Sequence, residues 1–203
     1  MKIALVGATG KAGSRVLREL LGRGHAATAI VRHPENVPAH DRVTAKGTDG
    51  SQASLAEAMK GHDAVVSSVR FVDLAPEILV PAVRASGVKR YVVVGGAGSL
   101  LHPDGVQEVD HPDFPDFAKP NSRRGGDLLD LLKATTDLDW TFISPPRGFI
   151  AGERTGKFRY GKDDMLLTPE GKPTAISFED FALALVDELE TPRHVRQRFT
   201  IGY

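Results

Sequence analysis

The chain begins MKIALVGATGKAG, a segment in which an apolar run, Ile3 to Val6, passes directly into glycines at positions 7, 10 and 13. No other stretch restricts the possible folds as much, because it asks for a strand, a tight turn and a helix in immediate succession. Gly7 allows the turn, Gly10 lets backbone N–H groups approach a pyrophosphate, and Gly13 lets the helix pack closely against the strand. A pyrophosphate placed there sits on the helix N-terminus, where unpaired N–H groups and the helix dipole favour negative charge. The residues that follow agree: Ala12, Val16, Leu17, Leu20 and Leu21 recur at helical spacing, a stop is expected at Gly22 or Gly24, and Ala26 to Val31 reads as a second strand.

The same alternation continues. A polar loop from His33 to His40 precedes a third strand at Arg42 to Ala45; Ser51 to Lys60 reads as a helix with Leu55, Ala58 and Met59 inward. Asp63 to Val69 is a strand, Ala75 to Ser86 a helix ending at Gly87, and Val88 to Val94 a β-branched run suited to a central parallel strand. Then comes a Gly-, Pro-, His- and Asp-rich segment from Gly95 to about Pro120, too long for an ordinary connection and therefore a candidate functional loop. A helix at Arg124 to Thr135 and a strand at Trp140 to Ser144 follow, the strand running into Pro145, Pro146 and Arg147. Beyond them, short polar stretches lead to a helix whose start has Ser177 and Asp180 at N-cap and N3 spacing, each able to satisfy a free backbone N–H. The last residues, RQRFTIGY, read as a strand covering a small C-terminal part.

Unbroken strand–helix alternation predicts an α/β fold: a Rossmann-like, doubly wound parallel sheet flanked by helices, with a small C-terminal extension. At 203 residues, one NAD(P)-binding domain over 1–203 is expected, with a Rossmann core over about 1–145 and a substrate-side part over about 146–203. The 26 basic and 26 acidic residues cancel, so nothing global draws the chain to nucleic acid or an anionic membrane. It has no cysteine, and its seven histidines show no close metal-ligand spacing, so no metal is expected. With neither a signal peptide nor a membrane-length apolar run, the expected location is the cytoplasm. A monomer or a homodimer fits equally well.

The end of the second strand bears on which dinucleotide binds. A free ribose 2′-hydroxyl calls for an Asp or Glu about twenty residues beyond the glycines, and this chain has Val31, Arg32 and His33 there. A guanidinium suits a 2′-phosphate, to which it donates two charge-assisted hydrogen bonds, and Lys11 and Arg15 lie close by on the first helix. NADP(H) is therefore expected in preference to NAD(H).

Taken together, GATGKAG, AIVRHPENV, SLAEAMKGHDAVVSSV, GVKRYVVVGGAGSL, LDWTFISPP, ERTGKFR and ISFEDFALALVDELE resemble the atypical short-chain dehydrogenase/reductase group with the NAD(P)H-binding, NmrA-like domain. Within it the chain is most similar to the small NADH-flavin reductase-like proteins related to biliverdin reductase B/flavin reductase. The resemblance implies a pyrophosphate loop of Gly7, Thr9, Gly10, Lys11, Ala12 and Gly13, with Arg32 at the 2′-phosphate. It also implies an adenosine and ribose wall of Ser67, Ser68 and Val69, and a nicotinamide border of Gly95 to Ser99, including Gly96, and of Pro145 to Phe149. Similar proteins usually carry Gly-Asp after the third strand; here Thr48 separates Gly47 from Asp49, which leaves an adenine contact by Asp49 open.

Short-chain dehydrogenases place a Tyr and a Lys four residues apart on one helix face, the lysine lowering the tyrosine's pKa for proton exchange. Here Gly95 lies four residues after Tyr91, Asp164 four after Tyr160, and Tyr203 is the last residue. Hydride transfer to a flavin, quinone or similar planar acceptor needs no such pair, because the protein only has to hold two rings together. In flavin reductases of this kind a Ser follows the fifth strand, matched approximately by Ser99. A His follows the proline pair, where this chain has Arg147, which is suited to orienting an anionic acceptor. His102 and His111, in the long loop, are further candidates, whereas Arg123 and Arg124 read as a solvated basic pair. A non-catalytic NADP(H) sensor of NmrA type explains the same residues, and an epimerase-like isomerase explains them less well.

Overall fold

The computed structural model describes residues 1–203. The first half runs β1 (Lys2–Val6), α1 (Lys11–Gly22), β2 (Ala26–Val31), β3 (Val43–Gly47), α2 (Gln52–Met59), β4 (Ala64–Ser67), α3 (Pro76–Ser86) and β5 (Arg90–Val94). The second half runs α4 (Lys119–Lys133), β6 (Asp139–Ser144), β7 (Gly148–Ile150), β8 (Arg159–Gly161), β9 (Ala175–Ser177), α5 (Phe178–Glu190) and β10 (Gln197–Gly202). Eight strands form one sheet in the order β3-β2-β1-β4-β5-β6-β10-β8, and β7 pairs with β9 apart from it. All neighbours in the large sheet are parallel except β8, which runs antiparallel to β10 at the edge. This is the expected Rossmann-like doubly wound architecture.

Alternation along β1 shows why the sheet is covered on both sides. Ile3 and Leu5 face one apolar cluster with Val16 and Leu20 of α1 and Phe181 and Leu185 of α5. Ala4 and Val6 face the other, with Leu55 of α2, Leu79 of α3 and Leu128 of α4. From β1 the chain winds outward to β3, then returns to lay β4 on the other side of β1. The crevice between the carboxyl ends of β1 and β4 is therefore the topological switch point, where ligands bind in such sheets.

Three expectations change. The final strand does not cover a separate C-terminal part: β10 inserts beside β6, with Phe199 paired to Ile143, because Phe199 and Ile201 complete the apolar face beneath α5. Helix α4 starts at Lys119 rather than Arg124, since Pro120 is accommodated in a first turn where its missing N–H costs nothing. The glycines at 125 and 126 do not break it; a Cβ at Gly125 would lie 2.8 Å from the Phe71 ring, so packing overrides propensity. At α5, Ser177 Oγ accepts the Asp180 N–H at 2.9 Å as expected, yet the buried Asp180 carboxylate turns away from the Ser177 N–H and accepts from Gly156 N–H at 2.8 Å and the Tyr203 hydroxyl at 2.9 Å. Asp180 thus ties the extended 151–158 segment and the C-terminus to α5 instead of closing a capping box.

Candidate dinucleotide site

The turn after β1 is built by close backbone contact. Gly7 has φ +82°, and a Cβ there would lie 2.2 Å from the Ser68 carbonyl oxygen. A Cβ at Gly13 would lie 2.1 Å from the Gly7 carbonyl oxygen, so only glycine lets α1 approach the turn this closely. Gly10 differs: it has φ −69°, and the nearest atom to a Cβ would be 3.4 Å away. A Cβ there would make only ordinary contacts, with the carbonyl oxygens of Gly7 and Ser68. No side chain caps α1 and its first turn carries no acid, leaving the N-terminal N–H groups open to an anion. A cradle of this kind fits a dinucleotide pyrophosphate.

From this turn a cleft of about 320 Å³ extends between the ends of β1, β2 and β4. Gly7, Thr9, Gly10, Arg32, Ser68 and Val69 line it, joined by Ile30, Val31, Thr48, Gly50 and Leu55. Arg32 stands exposed at the rim with no carboxylate in reach, since the neighbouring Glu35 pairs with His33 at 3.1 Å. Arg15 is not free for such a role: its Nε donates to Glu179 at 2.9 Å and its guanidinium lies over the Phe178 ring. Lys11 remains exposed without an ion pair, while Ala12 and Gly13 are buried under the turn.

One expected contact, that of Ser67, and one left open, that of Asp49, are directed elsewhere. The Ser67 hydroxyl is buried in the sheet and bonded to the Tyr91 hydroxyl at 2.9 Å, because β-strand alternation sends Ser67 to the opposite face from its neighbour Val66. Ser68 and Val69, one step further, reach the cleft. Asp49 accepts the Ser51 N–H at 2.8 Å, a local turn bond that lowers its pKa, and Thr48 and Gly50 rather than Asp49 line the cleft.

The carboxyl ends of β5 and β6 border the other half of the site. Gly95 hydrogen-bonds Ile143 and passes so close to Phe142 that a Cβ would lie 2.2 Å from its ring; Gly96 lies over Phe71. Pro145 and Pro146 are buried and aim Arg147 at the long loop. There Arg147 Nε donates to Glu108, which is fully buried, and the guanidinium lies over the Phe114 ring. His102 also meets Glu108, and His111 stacks on His102. Arg123 and Arg124 pair with Asp110 and Glu77 on the surface. Ser99 lies in the groove between this loop and α4, where its hydroxyl accepts from Arg198 Nη1 at 3.2 Å. Arg198 itself is buried and held by Asp163 at 2.5 Å.

Glu108 and Arg198 escaped the sequence reading because Arg147 for the one, and Ser99 and Asp163 for the other, lie far along the chain. Arg147 and Arg198 meet the 95–120 loop only after β6 and β10 have entered the sheet. The three tyrosines are all engaged. Tyr91 is fully buried with its pKa pushed up by burial, Tyr203 bonds Ser177 and Asp180, and Tyr160 stacks near His194 and Phe199 by the sheet edge.

A family profile described as NAD(P)H-binding matches residues 7–192, which include all of this cleft's lining except Val6. The chain belongs to this NAD(P)H-binding family. Solved structures of full-length relatives agree. A Burkholderia pseudomallei protein provisionally described as exported is 43% identical, with full coverage of both chains and a TM-score of 0.87. A Bacteroides thetaiotaomicron protein provisionally described as an epimerase is 40% identical over all of this chain and 96% of its own, with a TM-score of 0.93. A Streptococcus pneumoniae protein provisionally described as an NADH-flavin reductase is 32% identical over all of this chain and 99% of its own, with a TM-score of 0.84. Different activities are thus ascribed to proteins of one architecture, and the reaction of this NAD(P)H-binding protein has to be argued from its own residues. No helix is long and apolar enough to cross a membrane.

Proposed function

We propose that the protein is an NADP(H)-dependent oxidoreductase that passes hydride to a flavin, quinone or similar conjugated acceptor. The observation that carries this reading is the combination of a dinucleotide cradle with three tyrosines that all lie outside it: Tyr91 buried in the sheet, Tyr203 bonded to Asp180, and Tyr160 half-exposed at the sheet edge beside His194 and Phe199. Carbonyl–alcohol and epimerase chemistry of the short-chain dehydrogenase type lacks its tyrosine–lysine pair there, whereas transfer between two stacked rings mainly requires that they be held together. Bound NADPH supplies the hydride.

The residues divide the remaining work. The α1 N-terminus holds the pyrophosphate, and Arg32, free of acidic partners, receives the 2′-phosphate and sets the preference for NADP(H). Ser68 and Val69 wall the adenosine side. Gly95, Gly96 and Pro145 border the nicotinamide. Arg147 is one-third exposed and keeps its Nη2 without a protein partner, so it is placed to attract an acceptor phosphate or carboxylate. Ser99, bonded to Arg198, supports the loop from the α4 side.

The test is NADPH oxidation by the purified protein with FMN or a simple quinone, compared with no acceptor and with NADH, alongside NADPH binding by fluorescence. Acceptor-dependent oxidation that prefers NADPH is expected. Binding of NADPH with no oxidation by any acceptor overturns the reading in favour of a sensor that reports NADP(H) to a partner.

A further inference from the structure

We infer that His102 is the proton donor of this site, oriented by Glu108 and positioned to protonate the acceptor as the hydride arrives. The inference rests on the reductase reading and adds to it a group outside the dinucleotide cleft. Glu108 is 0% exposed, and a buried carboxylate is tolerable only with charged or hydrogen-bonding partners. It has two: Arg147 Nε on Oε1, and His102 Nε2 on Oε2 at 2.5 Å. Arg147 alone neutralises the carboxylate, so the histidine is not needed to balance its charge.

What the Glu108 contact does to His102 is specify its tautomer. With Nε2–H donating to the carboxylate, Nδ1 is the nitrogen left to gain and release a proton. Nδ1 makes no hydrogen bond within the protein and is not sealed from solvent. The ring is held flat by His111, stacked at 4.4 Å with 18° between planes. The surrounding backbone is equally fixed: His102 N–H donates to Val106 at 2.9 Å, Glu108 N–H to Leu100 at 2.9 Å, and Leu101 N–H to Asp163 at 2.9 Å. A rigid hairpin on the loop after β5 therefore carries one imidazole with one unspent nitrogen, linked through Glu108 to Arg147 just beyond β6.

The step balances as a two-electron reduction. Hydride leaves NADPH for the acceptor ring, the displaced electron pair moves to a quinone oxygen or flavin nitrogen, and that atom takes the proton from Nδ1 of the His102 imidazolium. Neutral His102 keeps its Nε2–H on Glu108 and is reprotonated by water. The charged and titratable groups facing it are Glu108 and Arg147, His111 on the stacked side with Asp113 3.8 Å beyond, and Asp163 and Asp164 on the segment bridged to Leu101.

Two measurements test this. Long-range proton–nitrogen NMR of the ligand-free protein is expected to show His102 as the Nε2–H tautomer when neutral, with that bias lost in Glu108→Gln; a neutral Nδ1–H tautomer in the native protein overturns the inference. Stopped-flow hydride transfer at saturating NADPH is expected to slow about 100-fold in His102→Asn. The fall of the wild-type rate with rising pH is expected to flatten in this variant, with NADPH affinity unchanged within about twofold. If wild type reduces an acceptor and His102→Asn keeps its rate and pH profile, the proton-donor role fails and the reductase reading stands. If wild type reduces no acceptor, both fail.

Discussion

The three glycines of the opening turn have the same sequence spacing as a dinucleotide loop, yet the structure gives them different sensitivities to a single methyl group. Gly13→Ala puts a Cβ 2.1 Å from the Gly7 carbonyl oxygen, more than 1 Å inside ordinary contact, so α1 has to move off the sheet or the turn has to open. Overpacking of this kind costs about 1–3 kcal/mol, offset in part by the roughly 1 kcal/mol that alanine gains over glycine inside a helix. A net loss of about 1 kcal/mol lowers the melting temperature of a chain this size by about 2–4 °C. Gly7→Ala meets the Ser68 carbonyl at 2.2 Å and also places alanine at φ +82°, so its loss is larger. Gly10→Ala meets nothing closer than 3.4 Å at φ −69°; its stability should stay within about 0.5 kcal/mol of wild type or rise slightly. The methyl group does, however, stand where a pyrophosphate approaches the helix N-terminus, and NADPH affinity is expected to fall at least about tenfold, or 1.4 kcal/mol. Thermal melts with NADPH titrations of the three variants check this. A Gly10→Ala protein that binds NADPH like wild type refutes the placement of the pyrophosphate; one that melts with Gly13→Ala refutes the steric reasoning.

Arg32→Ala removes one or two charge-assisted hydrogen bonds worth about 1.5–3 kcal/mol, so the NADPH dissociation constant should rise roughly 10- to 100-fold while that of NADH stays nearly constant; equal losses for both, measured by titration, would remove the basis for NADP(H) preference. At the opposite end of the sheet, buried Glu188 pairs with Arg90 at 3.0 Å and His194 at 2.8 Å, and Glu188→Gln should cost about 3 kcal/mol in urea unfolding by leaving Arg90 uncompensated. Burial pushes the Glu188 pKa up, but the His194 ring and the N–H groups of Arg193 and His194 prevail and hold it below its ordinary value. Its stabilisation is therefore complete above the unfolded glutamate pKa and lost as pH falls through the lowered folded value, so Glu188→Gln should show a flatter decline of stability below about pH 4.5 than wild type. Ser177→Ala removes the N-cap of α5 and should cost about 1 kcal/mol by the same unfolding assay.

How far the sequence could be read depended on the range of the interaction that decides each feature. The β1–turn–α1 unit, the alternation of strands with helices and the Ser177 cap depend on neighbours within a few residues, where periodicity and glycine stereochemistry act directly. The family resemblance likewise follows from local segments, and the profile match over residues 7–192 agrees with it. The start of α4 was obscured by Pro120 and the 125–126 glycines, which local propensity counts against a helix and which the first-turn geometry and the Phe71 contact accommodate. The strand order, the entry of β10 beside β6 and the direction of the Ser67 hydroxyl are set by contacts between distant segments.

The charge clusters follow the same division. Arg32 at the end of β2 could be placed from its distance to the glycines, because one helix and one strand span that interval with little freedom. Glu108 carries no local signature; its meaning comes from His102 six residues before it and Arg147 brought in from the end of β6. The sequence by itself determined that this chain builds a dinucleotide cradle, since a glycine turn between a strand and a helix is a short-range steric requirement. Only the tertiary structure decided which side chains stand unpaired around that cradle, because burial, pairing and the exclusion of the tyrosines are properties of surfaces that meet when the sheet closes.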